Sequence, residues 1–167
     1  MFRRAHRSER GASAVEFALV MPLLLMILFG MITTGLAFSD HLSATNAVRE
    51  GARYGAAADI SDSTWASSVQ DRVKHTYFNS AGATVTDDQI CVKLVQAGGA
   101  TTNVDTGAGC GTAPTVPSPM AAGSCAVVVW MERPQTIQLL VFPDLDFDIH
   151  AESVAYYGRE VAPCTAQ

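Results

Sequence analysis

The hydropathy pattern is dominated by one uncharged apolar run near the N-terminus. Residues 17–32 contain no charged side chain, and the apolar character continues to Phe38. About 20 helical residues rise about 30 Å, which matches the hydrocarbon core of a bilayer. The pattern therefore predicts one membrane-spanning helix over residues 12–38, preceded by a basic leader at residues 1–11.

The distribution of charge predicts the orientation of this helix. Arginines crowd the leader, whereas acidic residues outnumber basic ones after Asp40. Because basic residues stay on the cytoplasmic side, we expect a single-pass protein of the cytoplasmic membrane with its C-terminal part outside. A secretory signal cleaved near Ala37 is the alternative, but the run exceeds a signal's apolar core of about 7 to 15 residues. A buried core helix would need more surrounding chain than 167 residues provide.

Helical spacing continues beyond the apolar run. Residues 39–60 are rich in alanine, and apolar positions recur there close to the helical period. These positions are Leu42, Ala47, Gly51, Tyr54 and Ala58. We expect one long helix that leaves the membrane as a helical extension. Glu50 and Arg53 can form an (i, i+3) ion pair, and with Arg49 they predict a solvated face, a contact surface being the alternative.

Residues 61–167 predict a small domain. An amphipathic helix is indicated by apolar residues at four-residue intervals, with residues 61–63 as capping candidates. These apolar residues are Trp65, Val69, Val73 and Tyr77. Alternating patterns predict strands at 89–95, 125–131 and 145–158, and the Gly, Thr and Pro content of residues 97–123 predicts a flexible loop. The fold class is α+β: a long transmembrane helix continues into an extracytoplasmic domain in which a second helix covers a short antiparallel sheet.

The cysteines predict disulfides. All four lie after the apolar run, at Cys91, Cys110, Cys125 and Cys164. They do not have metal-ligand spacing, so a zinc site is not expected. Outside the cytoplasm they would form two disulfides, with three pairings open. Joining Cys110 to Cys125 would close the long loop, and this pairing is preferred.

The residue types and their spacing indicate a structural or binding protein. The acidic C-terminal part lacks the basic face that nucleic acids require. Phosphate-binding loops and catalytic motifs are not found, so we expect no enzyme activity, cofactor or small-molecule substrate. Asp144, Asp146, Asp148 and His150 alternate, which would place them on one strand face. A cation site is one interpretation, and a solvated polar face is the preferred one.

Glu16 and Pro22 break the uniformity of the apolar segment. A carboxylate at the centre of a bilayer costs about 2.5 to 3.5 kcal/mol, and less near the interface. Glu16 is therefore either a headgroup-solvated boundary residue or a charge that awaits a partner. Pro22 predicts a kink and packing against other helices, which would satisfy the freed carbonyl.

Two blocks of the sequence resemble a known family. "RGASAVEFALVMPLLLMILFG" and "ATNAVREGARYGAAA", in this order and spacing, resemble the TadE family, the pilin-like proteins of the tight-adherence (Flp, type IVc) pilus. The resemblance implies that a prepilin peptidase cuts the leader after Gly11 and frees Ala12 as the new N-terminus. It also implies that Glu16, followed by Phe17, serves subunit assembly by pairing with the terminal amine of a neighbouring subunit.

The resemblance further implies a function and a set of partners. Major Flp pilins usually carry tyrosine where Phe17 stands, and they are far shorter, which favours a minor pilin or pseudopilin in pilus assembly or initiation for surface attachment. Its partners would be the prepilin peptidase, other pilin-like subunits, the assembly platform and membrane lipid. The alternative function is an anchored or secreted extracytoplasmic binding domain without a role in a pilus.

Overall fold

A computed structural model describes residues 9–78, 82, 84–97, 101–105, 110–116, 120, 124–137 and 144–157. The chain divides into two compact units, Met1–Ala37 and Phe38–Gln167. Helix α1 (Glu9–Ala57) contributes to both.

The N-terminal unit contains the apolar part of α1. In the described part of the chain, this is the one helix long and apolar enough to cross a membrane, and its most apolar stretch is entirely exposed. Pro22 lies inside the helix. The hydroxyl of Thr34 donates to the Gly30 carbonyl at 2.7 Å and that of Thr33 to the Phe29 carbonyl at 2.9 Å. Such bonds satisfy hydroxyls where water is excluded, so the unit fits a single-pass membrane protein.

The C-terminal unit joins the end of α1 to a second helix and a sheet. Helix α2 is Trp65–Thr76. The strands are β1 (Ile90–Gln96), β2 (Thr101–Asp105), β3 (Cys125–Ile137) and β4 (Leu145–Tyr157), in the spatial order β2-β1-β3-β4. Neighbouring strands are antiparallel. The predicted α+β fold, with its long apolar helix and second helix, is confirmed.

The expectation that residues 97–123 form only a loop is wrong, because β2 lies within them. Five residues, Thr101–Asp105, pair with β1, and the register shifts between Val92 and Lys93. The segment is short and surrounded by Gly and Thr. Its strand character comes from pairing with β1, since tertiary context outweighs intrinsic propensity in sheets.

The main core lies between the helices and one face of the sheet. Small residues of α1 are fully buried there, namely Ala44, Ala47 and Ala52. The predicted α2 stripe is confirmed at Trp65, Val69 and Val73, which are buried in the same cluster. Alternate residues of β1, β3 and β4 complete it, including Val92, Leu94, Val127, Val129 and Ile149.

Glycine lets α1 and α2 approach closely. A Cβ atom on Gly55 would lie 3.0 Å from Val69 Cγ2 and 3.1 Å from Val127 Cγ1. One on Gly51 would collide with the side chain of Val73. Gly51 is buried at this contact, whereas Leu42 and Tyr54 are exposed. Large side chains do not fit where the two helix backbones are this close.

The turn before α2 is stabilised by Asp59 and by Asp62, and Asp62 is one of the capping candidates predicted at residues 61–63. Thr64 occupies the N-cap position without a side-chain capping bond. The Asp62 carboxylate accepts the Thr64 N–H and hydroxyl, both at 2.8 Å. Asp59 accepts the same pair of bonds from Ser61. These are Asx turns, which compete with conventional N-capping.

The second face of the sheet is covered by residues 110–116, which a disulfide ties down. Cys91 on β1 is bonded to Cys110, with their Cα atoms 5.9 Å apart. Cys110, Ala113 and Val116 pack against Val128 and Trp130. This covering segment shields one side of the strands while the helices shield the other.

The preferred pairing of Cys110 with Cys125 is wrong. Side chains alternate along a strand, and the observed register places Cys91 on the face covered by Cys110. Cys125 lies in the helix-covered core, on the opposite face. Cys125 is itself disulfide-bonded, and Cys164 lies outside the described residues.

Candidate functional site

Gly11 and Ala12, the residues expected to flank a cleavage point, lie in the first turn of α1. Both are exposed, and no other atom lies within 4 Å of the position that a Cβ on Gly11 would take. The sequence suggested that a peptidase would receive this segment in extended form. Because the segment is helical here, such binding requires the first turn to unwind.

Glu16 and Phe17 follow on the exposed surface of the same helix. Phe17 is 62 % exposed, and neighbouring apolar side chains are similarly accessible. Among the described side chains, Glu16 has no ion-pair partner. Pro22 has no N–H to donate to the Ala18 carbonyl one turn earlier. A lone carboxylate and a freed carbonyl therefore lie within two turns of each other on an otherwise apolar helix.

The family block at the end of α1 carries an ion-pair network. The Glu50 carboxylate lies 3.2 Å from Arg53 Nη2, which confirms the predicted (i, i+3) pair. It also lies 2.6 Å from Nη2 of Arg72 on α2. The hydrogen bond from Arg72 is the main cause that lowers the pKa of Glu50 below its ordinary value of 4.5. Arg49 and Arg53 remain exposed, in agreement with the solvated interpretation, whereas Glu50 joins the two helices.

A second ionic contact fastens the end of α2. Lys74 is bonded to Asp71 one turn earlier, at 2.9 Å, and to Asp87 in the short 3-10 turn Asp87–Gln89. The bond to Asp87 is the largest cause that raises the pKa of Lys74 above 10.5. Arg72 and Asp87 were both missed by sequence reasoning. Residues far apart in the chain leave no local pattern that would reveal their contact.

The acidic row of β4 lies on one exposed strand face, as predicted. Asp146 accepts a bond from the Thr136 hydroxyl at 2.6 Å. His150 Nδ1 lies 3.3 Å from Glu132, and its Nε2 lies 3.4 Å from Glu152. Within the described ranges, no group of three or more His, Cys, Asp or Glu side chains is placed to hold a metal ion. The arrangement is that of a solvated polar strand face.

A cleft of about 240 Å³ lies beside this row. Its lining is mostly polar, from Asp88, Gln89, Glu132, Arg133, Pro134 and Asp148. Sites for small molecules usually enclose about 300 to 1,000 Å³ and are mainly apolar. The cleft is therefore smaller and more polar than a typical ligand pocket.

The apolar part of α1 is exposed, carries a carboxylate near its start, and continues into a small α+β unit. Residues 11–53 match the model of the TadE-like protein family. The match confirms the resemblance to the TadE-like family over the first sequence block from Gly11 onward and over the second block as far as Arg53.

Comparison with curated proteins and with solved structures gave no match. The family match begins at Gly11 and ends at Arg53. It therefore covers the apolar helix and most of the face that packs against α2. The remainder of the C-terminal unit is known from the structure alone.

Proposed function

We propose that this protein is a minor pilin, or pseudopilin, that takes part in assembly or initiation of an Flp pilus for surface attachment. The observation that carries the proposal is the family match from Gly11 onward, on a helix whose apolar surface is exposed over its whole span. The match starts at the residue after which the peptidase would cut. In this proposal the chain acts by assembling with other subunits and performs no chemistry of its own.

Processing is the first step of the proposed role. A prepilin peptidase hydrolyses the bond between Gly11 and Ala12 on the cytoplasmic side, leaving a carboxylate on the leader and a free amine on Ala12. The open space around Gly11 favours access by the peptidase. Cleavage would place the new positive terminus one helical turn before Glu16.

The carboxylate of Glu16 then has a role in assembly. It pairs with the Ala12 amine of a neighbouring subunit, and each charge neutralises the other in apolar surroundings. A buried charge left without a partner is strongly unfavourable, by about 3 to 5 kcal/mol when one member of a pair is removed. Glu16 and the new amine would therefore select a neighbour in correct register, with Phe17 in the adjoining contact surface.

The apolar surface of α1 is the proposed contact for other pilin-like helices and for the assembly platform. Large side chains project from it on several sides, including Leu19, Leu23, Ile27, Met31 and Leu36. Lipid covers this surface while the subunit is in the membrane. Packing against other helices would replace lipid during assembly.

The orientation is proposed from charge and redox chemistry together. The basic leader stays in the cytoplasm by the positive-inside rule. The disulfide between Cys91 and Cys110 supports a C-terminal unit outside the cytoplasm, since disulfides persist in oxidising compartments. In this orientation residues 1–11 form the cytoplasmic leader and residues 12–38 the transmembrane helix. Residues 39–60 form the helical extension, and residues 61–167 form the domain outside the cytoplasm.

Mass spectrometry of the mature N-terminus tests the proposal. The full chain is expressed with a prepilin peptidase and purified from membranes, and its first residue is expected to be Ala12. Gly11→Val should block this cleavage. Gly35→Val is the matched control, because Gly35 lies in the same helix with equally open space around it. A mature chain that begins near residue 38 would identify a secretory signal, and an intact chain in the presence of active peptidase would favour a permanent anchor.

A further inference from the structure

Three large apolar side chains lie exposed at one end of the C-terminal unit. Phe38 is 64 %, Leu42 47 % and Phe78 70 % exposed. Phe38 and Leu42 are one turn apart on α1 and so share a face. The Phe78 N–H donates to Ser43 Oγ at 2.7 Å, which holds Phe78 beside the residue that follows Leu42.

The segment that carries Phe78 is well anchored. The Tyr77 hydroxyl accepts a bond from Arg133 Nη1 at 2.7 Å, and the Arg133 guanidinium lies 5.7 Å from the centre of the Tyr77 ring. The Tyr77 N–H also closes the last turn of α2 on the Val73 carbonyl at 2.9 Å. These contacts fix the backbone next to Phe78, and the Phe78 ring remains exposed.

Chain geometry places these side chains next to the membrane. Phe38 directly follows Ala37, the last residue of the N-terminal unit. Residues 17–38 in a helix span about 33 Å, close to the hydrocarbon thickness of about 30 Å. Leu42 lies about 6 Å further along α1, and each headgroup layer is about 5 to 8 Å thick. A span that ends at Phe38 therefore brings Leu42 and Phe78 to the headgroup layer, where amphipathic and aromatic rings collect.

We propose that Phe38, Leu42 and Phe78 form a lipid-contact edge, by which the C-terminal unit rests on the bilayer surface that α1 leaves. The inference depends on the proposed membrane anchoring and is independent of the role in a pilus. The C-terminal unit is acidic overall, so anionic headgroups would not attract it. The lipid is therefore a zwitterionic surface, and the contact is apolar.

Brominated lipids test this inference in the full-length protein. The protein is reconstituted in phosphatidylcholine vesicles that carry bromine near the headgroup end of the acyl chains, with unbrominated vesicles as reference. In Phe78→Trp, the emission of the added tryptophan is expected to fall about twofold, since its ring would lie in the interfacial layer. The native Trp65 and Trp130 are 2 % and 1 % exposed and give a constant background.

Tyr156→Trp is the matched control. Tyr156 is 54 % exposed, and the adjacent Tyr157 hydroxyl donates to the Ala58 carbonyl at 3.0 Å. Ala58 lies about 22 Å beyond Ser43 along the chain's helical rise, so this position is far from the proposed edge. Its added tryptophan should keep its full emission in brominated vesicles.

The outcomes separate this inference from the proposed anchoring. Flotation of the vesicles reports anchoring by itself. If the protein floats but neither added tryptophan is quenched, the edge does not contact lipid and the inference is wrong. If the tryptophan emission at position 78 is not quenched by bromine but changes with the protein-to-lipid ratio, a second copy of the protein covers the edge. This outcome also shows that the inference is wrong. Leu42→Trp provides a second position on the edge, for which the same quenching is expected.

Discussion

Nη2 of Arg72 on α2 lies 2.6 Å from a carboxylate oxygen of Glu50 on α1, and this contact joins the two helices that cover the sheet. Arg53 is bound to the same carboxylate but lies on the same helix as Glu50. We expect Arg72→Ala to lower the midpoint of thermal unfolding more than Arg53→Ala does. Equal effects of the two variants would show that the contact between helices adds nothing. Circular dichroism of the full chain in detergent measures both.

Acidic pH should weaken the C-terminal unit. Folding lowers the pKa of Glu50 through Arg72, of Asp62 through the Thr64 N–H and of Asp71 through Lys74. Because folding lowers these pKa values, each carboxylate stabilises the folded state fully at pH above its ordinary pKa, 4.5 for Glu50 and 3.8 for the aspartates. This stabilisation is lost as the pH falls through the pKa of the carboxylate in the folded protein. We expect the unfolding midpoint to be flat near neutrality and to fall below about pH 4.5. In Arg72→Ala the unfolding midpoint should fall less steeply with decreasing pH. An unchanged dependence on pH would show that Glu50 does not contribute.

Gly51→Val should destabilise the C-terminal unit by about 1 to 3 kcal/mol, the usual cost of overpacking. The new side chain would collide with Val73, which is fully buried. Asn46→Val on the exposed side of the same helix is the control, since it carries the same β-branched propensity cost. Denaturant unfolding followed by tryptophan fluorescence compares them. Similar stabilities in the two variants would contradict the close packing of α1 on α2.

The Cys91–Cys110 disulfide makes a direct prediction for peptide mapping. Digestion without reduction should yield one peptide pair that links these two cysteines. Replacing both by serine should lower the free energy of unfolding by about 2 to 4 kcal/mol, the usual effect of a disulfide. A peptide that links Cys110 to Cys125 would contradict the observed arrangement of the sheet faces.

Glu16→Ala tests the proposed subunit contact. We expect at least about a tenfold loss of the protein from sheared pili, because the neighbour's amine would lose its partner in apolar surroundings. The amount in the membrane fraction should be unchanged, since the substitution makes the segment more apolar. Leu19→Ala, on the same exposed helix surface, is the control for a simple loss of packing. Equal recovery of Glu16→Ala and wild type in pili would disprove the role of the carboxylate.

Local periodicity was enough to predict the helices and three of the strands. The apolar run of α1 and the Trp65, Val69 and Val73 stripe are patterns within a few turns, so they can be read without knowing what packs on them. The bond between Glu50 and Arg72 joins residues 22 apart. The β2 strand likewise depends on its pairing with β1. These features required tertiary contacts that no local pattern contains.

The error in the cysteine pairing could have been avoided from the sequence. Cys91 alternates with Ile90 and Val92, so it must point away from the face that those residues bury. The helical positions of Gly51 and Gly55 also indicate a close approach of two helices, at which large side chains do not fit. Patterns of residue size would have placed the buried face better than patterns of hydrophobicity alone.

The acidic row on β4 has a consequence for crowding. In the described part of the sheet β4 is an edge strand, thirteen residues long, and such edges can recruit a strand from another molecule. Asp146, Asp148 and Glu152 stand exposed along it. Two copies that tried to join antiparallel through β4 would bring these carboxylates together, which is unfavourable at neutral pH. The row thus disfavours aggregation of two copies through their sheets.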